Sequence, residues 1–90
     1  MNRNELLIDV LLELQKVQVN VEITTYELVE RVNDKYKVSI HDMSLLMWLH
    51  AQVIKNAKKY GVIIDHSIHN DEILGLPYHI GFLVKENKHA

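Results

Sequence analysis

The chain of 90 residues has no cysteine, three glycines and one proline. Without thiols it lacks disulfides, thiolate nucleophiles and zinc sites built on sulfur. Its longest uninterrupted apolar run, residues 45–49, is far too short to span a bilayer. Charged side chains interrupt the apolar residues near the N-terminus, which excludes the uncharged core of a signal peptide. These absences predict a cytoplasmic protein that makes no membrane contact.

Basic residues are unevenly distributed along a chain whose net charge is -2. Residues 1–30 carry two basic and six acidic side chains, and residues 61–90 carry two basic and four acidic ones. Residues 31–60 reverse this balance, with six basic and two acidic side chains. The hydrophobic fraction of 48% is that of an ordinary globular protein. We expect one domain over residues 1–85, followed by a flexible tail at 86–90, with its positive charge in the middle third.

The first seventeen residues predict an amphipathic helix. Asn2 is a candidate N-cap, with Glu5 three positions later. The apolar residues at helical spacing, which we expect to face the core, are Leu6, Leu7, Val10, Leu11, Leu14 and Val17. Ile8 and Leu12 lie off this face and form a second, narrower apolar stripe. Such a stripe predicts an isologous contact in a homodimer, although scattered apolar surface residues are also normal.

A strand and two further helices are predicted next. Residues 19–23 alternate apolar and polar side chains, as in a half-buried strand. Thr24 and Glu27 form a capping-box pattern for a second helix that ends near Asn33. Ser39 and Asp42 repeat the pattern for a third helix over about residues 40–60, with Gly61 after it as a left-handed stop.

The last third of the chain predicts a β-hairpin. Residues 62–68 and 78–85 alternate with a period of two, and about ten turn-rich residues separate them. Its inward-facing residues are expected to include Ile64, Ile80, Phe82 and Val84. The strand at 19–23 is expected to join the hairpin as a third strand.

This order, helix–strand–helix–helix–strand–wing–strand, resembles the winged helix-turn-helix superfamily over nearly the whole chain. The resemblance is one of architecture, since no short motif indicates a particular family of regulators. It implies an α+β fold with three helices and a small antiparallel sheet. By analogy, it also implies a regulator that reads double-stranded DNA with its third helix.

The third helix and the turn before it therefore carry the candidate DNA contacts. Helical spacing predicts one face that packs on the first two helices, made of Met43, Leu46, Met47, His50, Val53, Ile54 and Ala57. The opposite face and the preceding turn present Lys35, Lys37, His41, Ser44, Leu45, Trp48, Gln52, Lys55, Asn56 and Lys59. Serine, glutamine and asparagine side chains there can hydrogen-bond base edges, while the lysines can contact phosphates.

The same features allow a protein partner in place of DNA. Leu45 and Trp48 are bulky and apolar for a surface that reads bases, and no arginine lies on that face. The wing residues 69–74 include acids but no lysine or arginine. The alternative function is thus a protein-contact module, such as a phage or mobile-element inhibitor or adaptor, with Trp48 as an anchor. Two further interpretations need no partner. The N-terminal segment or the wing could cover Trp48, and the polar face of the third helix could simply be solvated.

Catalysis and metal binding are not predicted. His66, His69, Asp71 and Glu72 cluster in sequence, but His66 and His69 are three apart on a strand and point to opposite faces. Neighbouring strand residues, as in Asp65-His66-Ser67, likewise cannot form a catalytic relay. His50 is expected to be a partly buried, hydrogen-bonded histidine. We expect a protein that is not an enzyme and holds no cofactor or metal.

Overall fold

The computed structural model describes residues 1–71 and 76–87, and within strand segments 66–71 and 76–80 it describes the backbone alone. The helices are α1 (Arg3–Leu14), α2 (Thr25–Tyr36) and α3 (Met43–Asn56), and a 3-10 turn (Ala57–Tyr60) continues α3. The strands are β1 (Glu22–Thr24), β2 (Ile63–Asp71) and β3 (Leu76–Lys85). They form an antiparallel sheet in the order β1-β3-β2. The predicted α+β class, with three helices and a small antiparallel sheet, is confirmed for these residues.

One apolar core joins the three helices to the sheet. Phe82 on β3 is fully buried, and Ile23 of β1 lies opposite it in the register. Val84 is buried and Ile64 is half-buried, as predicted, while the side chain of Ile80 lies outside the described residues. From α1 the core receives Leu6, Val10, Leu11 and Leu14. The predicted inner face of α1 is therefore correct.

Three predicted helix signals are confirmed. The Asn2 side chain accepts hydrogen bonds from the backbone N–H groups of Asn4 and Glu5 at the start of α1. Thr24 and Glu27 form a reciprocal capping box at the start of α2. Gly61 ends the 3-10 turn with a φ of 76°, a left-handed conformation that glycine adopts without strain.

The first strand is shorter and later than the alternation at 19–23 predicted. Asn20 adopts a φ of 69°, which breaks the extended conformation before a strand can begin there. The chain already meets β3 at this point, because Asn20 N–H donates to the carbonyl of Val84 over 2.8 Å. Regular pairing then starts at Glu22, opposite Leu83.

The boundaries between α2 and α3 also differ from the prediction. The second helix continues past Asn33 to Tyr36 and ends where Lys37 turns left-handed. The third helix begins at Met43, and Asp42 is its N-cap rather than its third residue. The Ser39 hydroxyl accepts from the His41 N–H instead of capping the helix.

The hairpin strands extend further than predicted. The backbone of β2 pairs with β3 from Ile63, opposite Lys85, to Asp71, opposite Leu76, with an irregularity between His69 and Asp71. Residues 69–71 and 76–77 of the turn-rich segment predicted to join the strands are therefore strand, and residues 72–75 lie outside the described part. No helix in the described ranges combines the length and hydropathy needed to cross a membrane.

Candidate nucleic-acid interface

The turn between α2 and α3 is held by side-chain hydrogen bonds to the backbone. Asn33 brackets Val38, because its amide donates to the Val38 carbonyl over 3.0 Å and its Oδ1 accepts from the Val38 N–H over 2.5 Å. Val38 itself is buried in the core. The start of the turn is therefore fixed, and the turn exposes Lys37 and His41 to solvent.

The buried side of α3 matches only part of the face that helical spacing predicted: Leu46, His50, Val53 and Ala57 are buried as predicted. Leu45, a predicted surface contact, is only 2% exposed and belongs to the core. Met47 and Ile54, predicted to pack inward, are 48% and 38% exposed. The buried residues are Leu45, Leu46, Leu49, His50 and Val53, together with Ala57 of the 3-10 turn. At about 100° per residue, the inner face is rotated by roughly 60° from the predicted one.

Most of the polar candidates lie on the surface as predicted. Lys37, His41, Ser44, Lys55 and Lys59 are exposed. Gln52 is half-buried, and its backbone carbonyl accepts from the Asn56 amide over 2.7 Å. The exposed face of α3 and the 3-10 turn thus brings together Ser44, Gln52, Lys55 and Lys59, while Lys37 and His41 remain in the preceding turn.

Lys35 has its partner within the protein. Its ammonium lies 3.3 Å from the carboxylate of Asp9 on α1, and the same carboxylate oxygen accepts from the hydroxyl of Tyr36. The Tyr36 hydrogen bond, followed by Lys35, lowers the pKa of Asp9. Hydrogen bonds to Tyr36 and Asp9 raise the pKa of Lys35, and desolvation chiefly raises that of Tyr36. The cluster ties α1 to the end of α2, so Lys35 is a weaker candidate for a phosphate contact than Lys37.

Trp48 is half-buried and packs against the core. The guanidinium of Arg3, in the first turn of α1, lies 5.4 Å from the centroid of its ring. The N-terminal segment therefore covers part of the indole. With Leu45 buried as well, the Leu45/Trp48 surface predicted for a protein partner does not exist as such.

The exposed face of α3 is basic and has no acidic side chain. Residues 43–60 contain three lysines and no aspartate or glutamate. Lys55, Lys58 and Lys59 are all exposed, and none forms an ion pair within the described part of the chain. Of the two carboxylates that flank this segment in sequence, Asp42 accepts from the Leu45 N–H over 3.1 Å as the helix cap, and Asp65 lies 3.4 Å from the ammonium of Lys85. The arrangement favours an anionic ligand along this face.

One edge of the same face is apolar. Met47, Ala51 and Ile54 follow one another at helical spacing, and all three are exposed. This edge leads into a shallow groove of about 280 Å³ between the end of α3 and the start of β2. The groove is lined by Ile54, Ala57, Lys58, Val62, Ile63 and Ile64.

His50 has the environment that the sequence predicted. It is 7% exposed, its Nδ1 lies 3.2 Å from the Thr25 hydroxyl, and its ring stacks on Phe82 at 4.6 Å between centroids. Elsewhere in residues 1–65 and 81–87, no three histidine or acidic side chains approach one another closely enough to hold a metal. The side chains of His66, His69, Asp71 and Glu72 lie outside the described part, as do those of the whole predicted wing, residues 69–74.

Sequence reasoning missed several residues of this face. Lys58 follows Lys55 by three positions and shares its side of the helix, a spacing that could have identified it. Helical spacing predicts Met47 and Ile54 on the inner face of the helix, whereas both are exposed. Arg3 carried no signal, since its contact with Trp48 joins residues 45 positions apart.

The chain matches no protein-family model, no curated protein and no solved structure.

Proposed function

We propose that this chain is a winged helix-turn-helix protein that binds double-stranded DNA through the exposed face of α3. The element order, with two consecutive helices followed by an antiparallel hairpin, is compatible with a winged helix and supports the proposal. In such folds the third helix enters the major groove with its N-terminal residues nearest the bases. The main support for DNA binding is the row of exposed lysines, Lys55, Lys58 and Lys59, on a helix and 3-10 turn that contain no aspartate or glutamate.

Each part of the face has a role that its chemistry suits. Lys55, Lys58 and Lys59, with Lys37 in the preceding turn, would neutralise phosphates and supply affinity for any sequence. Ser44, near the start of α3, presents a hydroxyl that can donate to or accept from base edges. The Met47 side chain is suited to apolar contact with thymine methyl groups. Asp42 is a capping residue in this arrangement and contributes no phosphate contact.

The absence of arginine from this face sets an expectation for specificity. Arginine paired to guanine is the commonest specific contact in the major groove, and neither Arg3 nor Arg31 lies on α3. We therefore expect much of the affinity to come from phosphate contacts and to fall steeply with salt. Preference among sequences should be modest, with A·T-containing sites favoured over G·C-rich ones.

The test measures binding of the chain to a random-sequence duplex at low and moderate salt, with fluorescence anisotropy as the readout. Replacing Lys55, Lys58 and Lys59 together by Gln should abolish measurable binding at moderate salt and flatten the salt slope by about two to three units. A matched comparison sets Lys58→Gln against Lys85→Gln, since Lys85 lies on β3 and pairs with Asp65. The first change should weaken binding and the second should not. No binding by the unaltered chain at low salt would refute the proposal.

A protein partner is the second candidate function, favoured by the exposed apolar edge at Met47, Ala51 and Ile54. A partner of this kind would bury the edge and insert into the adjoining groove, with the lysines at the rim affecting mainly the association rate. Exchanging Met47 and Ile54 for Ser separates the two functions. Binding to DNA should lose less than about tenfold, because phosphate contacts remain, whereas docking of a protein on the apolar edge would be lost.

A further inference from the structure

The outward face of α1 has an apolar centre that no other described part of the chain covers. Ile8 and Leu12, one turn apart, are 45% and 44% exposed. The opposite side of the helix is buried in the core, and Asp9 on the flank is tied to α2. Four exposed polar side chains surround the apolar pair on the outward face, namely Asn4, Glu5, Gln15 and Lys16.

These six residues are arranged symmetrically about a point near residue 10. Ile8 and Leu12 are equidistant from it, Glu5 is balanced by Lys16, and Asn4 is balanced by Gln15. An antiparallel pair of α1 helices related by a two-fold axis would therefore bring Ile8 against Leu12 of the second copy. With a rise of about 1.5 Å per residue, Glu5 and Lys16 of the second copy would lie within about 1.5 Å of the same height along the axis.

The two polar pairs also lie on the correct sides. Gln15 is the C-cap of α1 in a right-handed helical conformation, and the Lys16 N–H donates to the Glu13 carbonyl over 3.1 Å, so a final helical turn carries both residues past Leu14. At about 100° per residue, Glu5 and Lys16 then fall on one side of the apolar pair, and Asn4 and Gln15 fall on the other. A two-fold axis perpendicular to both helices leaves each flank on the same side of the interface in the two copies. The Glu5/Lys16 flank of one copy therefore meets the Glu5/Lys16 flank of the other, and the Asn4/Gln15 flanks meet in the same way. Each contact would thus occur twice, with an ion pair between Glu5 and Lys16 and a hydrogen bond between Asn4 and Gln15.

The intramolecular contacts of these residues are compatible with the pairing. Gln15 donates from Nε2 to the carbonyl of Tyr60 over 2.9 Å, which leaves its Oε1 available to accept from the Asn4 amide of the second copy. Lys16 lies 3.0 Å from Glu13, yet its side chain is 70% exposed and has room for a second carboxylate. Glu5 has no ion pair with any side chain of residues 1–65 and 81–87.

We propose that this chain forms a homodimer through its α1 helices, packed antiparallel about a two-fold axis near residue 10. The face holds one acidic and one basic side chain, so it is electrically neutral within a segment whose net charge is strongly negative. A neutral face with paired opposite charges complements a second copy of itself better than it complements a strongly charged partner. The interface does not depend on DNA and does not rest on the proposed function.

The dimer is expected to be weak. The α1 helix has 12 residues and a length of about 18 Å, so it buries much less than the roughly 800 Å² per partner of a standard interface. Association should therefore appear at concentrations of tens of micromolar and above, with a dissociation constant in the micromolar range.

Charge exchange across the two-fold axis gives the sharpest test, by sedimentation equilibrium of the full chain without DNA. Glu5→Lys puts two basic residues into each contact, and Lys16→Glu puts two acidic residues there. Each variant alone should dimerise roughly tenfold more weakly than the wild type. An equimolar mixture of the two should dimerise with near wild-type affinity, because both contacts become complementary. The double variant, with both exchanges in one chain, should do so as well.

The core of the interface is tested by Ile8→Glu. This variant should be monomeric, because each copy would have to bury a carboxylate against Leu12 of the other copy. Met47→Glu on α3 is the matched control and should leave the dimer unchanged. Circular dichroism of each variant checks that the fold is retained. The proposal is overturned if the wild type stays monomeric up to about millimolar concentration, if the mixture is no tighter than either variant alone, or if Met47→Glu dissociates the dimer.

Discussion

The guanidinium of Arg3 lies over the indole ring of Trp48, with its Cζ atom 5.4 Å from the ring centroid. This contact joins the first turn of α1 to the middle of α3. Because Trp48 is the single tryptophan of the chain and is half-buried against the core, its fluorescence reports how α1 docks on α3. Trp48 therefore contributes to the packing of the monomer, and an exposed anchor for a partner has to be sought elsewhere on the helix.

Arg3→Ala should reduce the free energy of unfolding by about 0.5–1 kcal/mol, since it removes a cation–π contact at a partly exposed site. The emission of Trp48 should also shift to longer wavelength, because water replaces the guanidinium. Urea denaturation followed by fluorescence measures both effects. Arg31→Ala on α2 is the control and should change stability by less than about 0.5 kcal/mol. Equal effects of the two changes would contradict the assigned contact.

Two single substitutions, Leu45→Ala and Met47→Ala, test the orientation of α3. Leu45→Ala should destabilise the protein by about 2–5 kcal/mol, because Leu45 is buried and its truncation leaves a cavity. Met47→Ala should lose less than about 1 kcal/mol, because that side chain is nearly half exposed. Chemical denaturation of both variants decides the question. The reverse order would mean that the helix faces the core as its sequence periodicity predicted.

The Asp9 carboxylate should make stability depend on pH in the acid range. Its pKa is lowered in the folded protein, above all by the Tyr36 hydrogen bond, so its contribution is fully present above the ordinary value of 3.8. The contribution is lost as the pH falls through the lowered, folded-state pKa. Tyr36→Phe should therefore be less stable than the wild type at neutral pH, and the difference should shrink below pH 3.8.

Two measurements check this prediction. Denaturation of the wild type and Tyr36→Phe over the acid range gives the difference in stability, and an NMR titration of the Asp9 carboxyl group gives its pKa directly. The substitution should move that pKa upward, towards its ordinary value. A difference in stability that stays constant from neutral to acid pH would show that the tyrosine does not favour the ionised carboxylate.

Helix starts and stops were predictable where one side chain had one role. Asn2, Thr24 and Gly61 act in the structure as their residue types indicate. The start of α3 was not, because Ser39 and Asp42 are both capping types separated by three residues. Asp42 completes a box if Ser39 is the cap, and it is itself the cap if the helix starts at Met43. Local sequence offers both solutions, and the structure adopts the second.

The predicted orientation of α3 was partly wrong for a different reason. Residues 45–49 are all apolar, so this helix has apolar side chains on nearly every side and its periodicity is weak. Packing against α1, α2 and the sheet then decides which of them is buried. The contacts of Arg3 with Trp48 and of Lys35 with Asp9 are likewise tertiary. Spacing along the chain carries no information about them, and the candidate site was correspondingly only partly predictable.

Lys37 allows the structural and binding roles of the turn before α3 to be separated. It ends α2 with a φ of 54° and a ψ of 44°, and its N–H donates to the carbonyl of Asn33 over 2.8 Å. A residue with a Cβ atom is strained in this left-handed conformation, whereas glycine is not. Lys37→Gly should therefore stabilise the protein by about 0.5–1 kcal/mol.

Lys37→Ala is the matched control, because it removes the same charge and keeps the strain. The glycine variant should be more stable than the alanine variant by about 1 kcal/mol in thermal and urea denaturation. Both should lose affinity for duplex DNA equally, if the ammonium group contacts a phosphate, and both should flatten the salt slope by about one unit. Equal stability of the two variants would contradict the left-handed turn. Unchanged DNA affinity in both would remove Lys37 from the interface while leaving the lysines of α3 and the 3-10 turn to carry it.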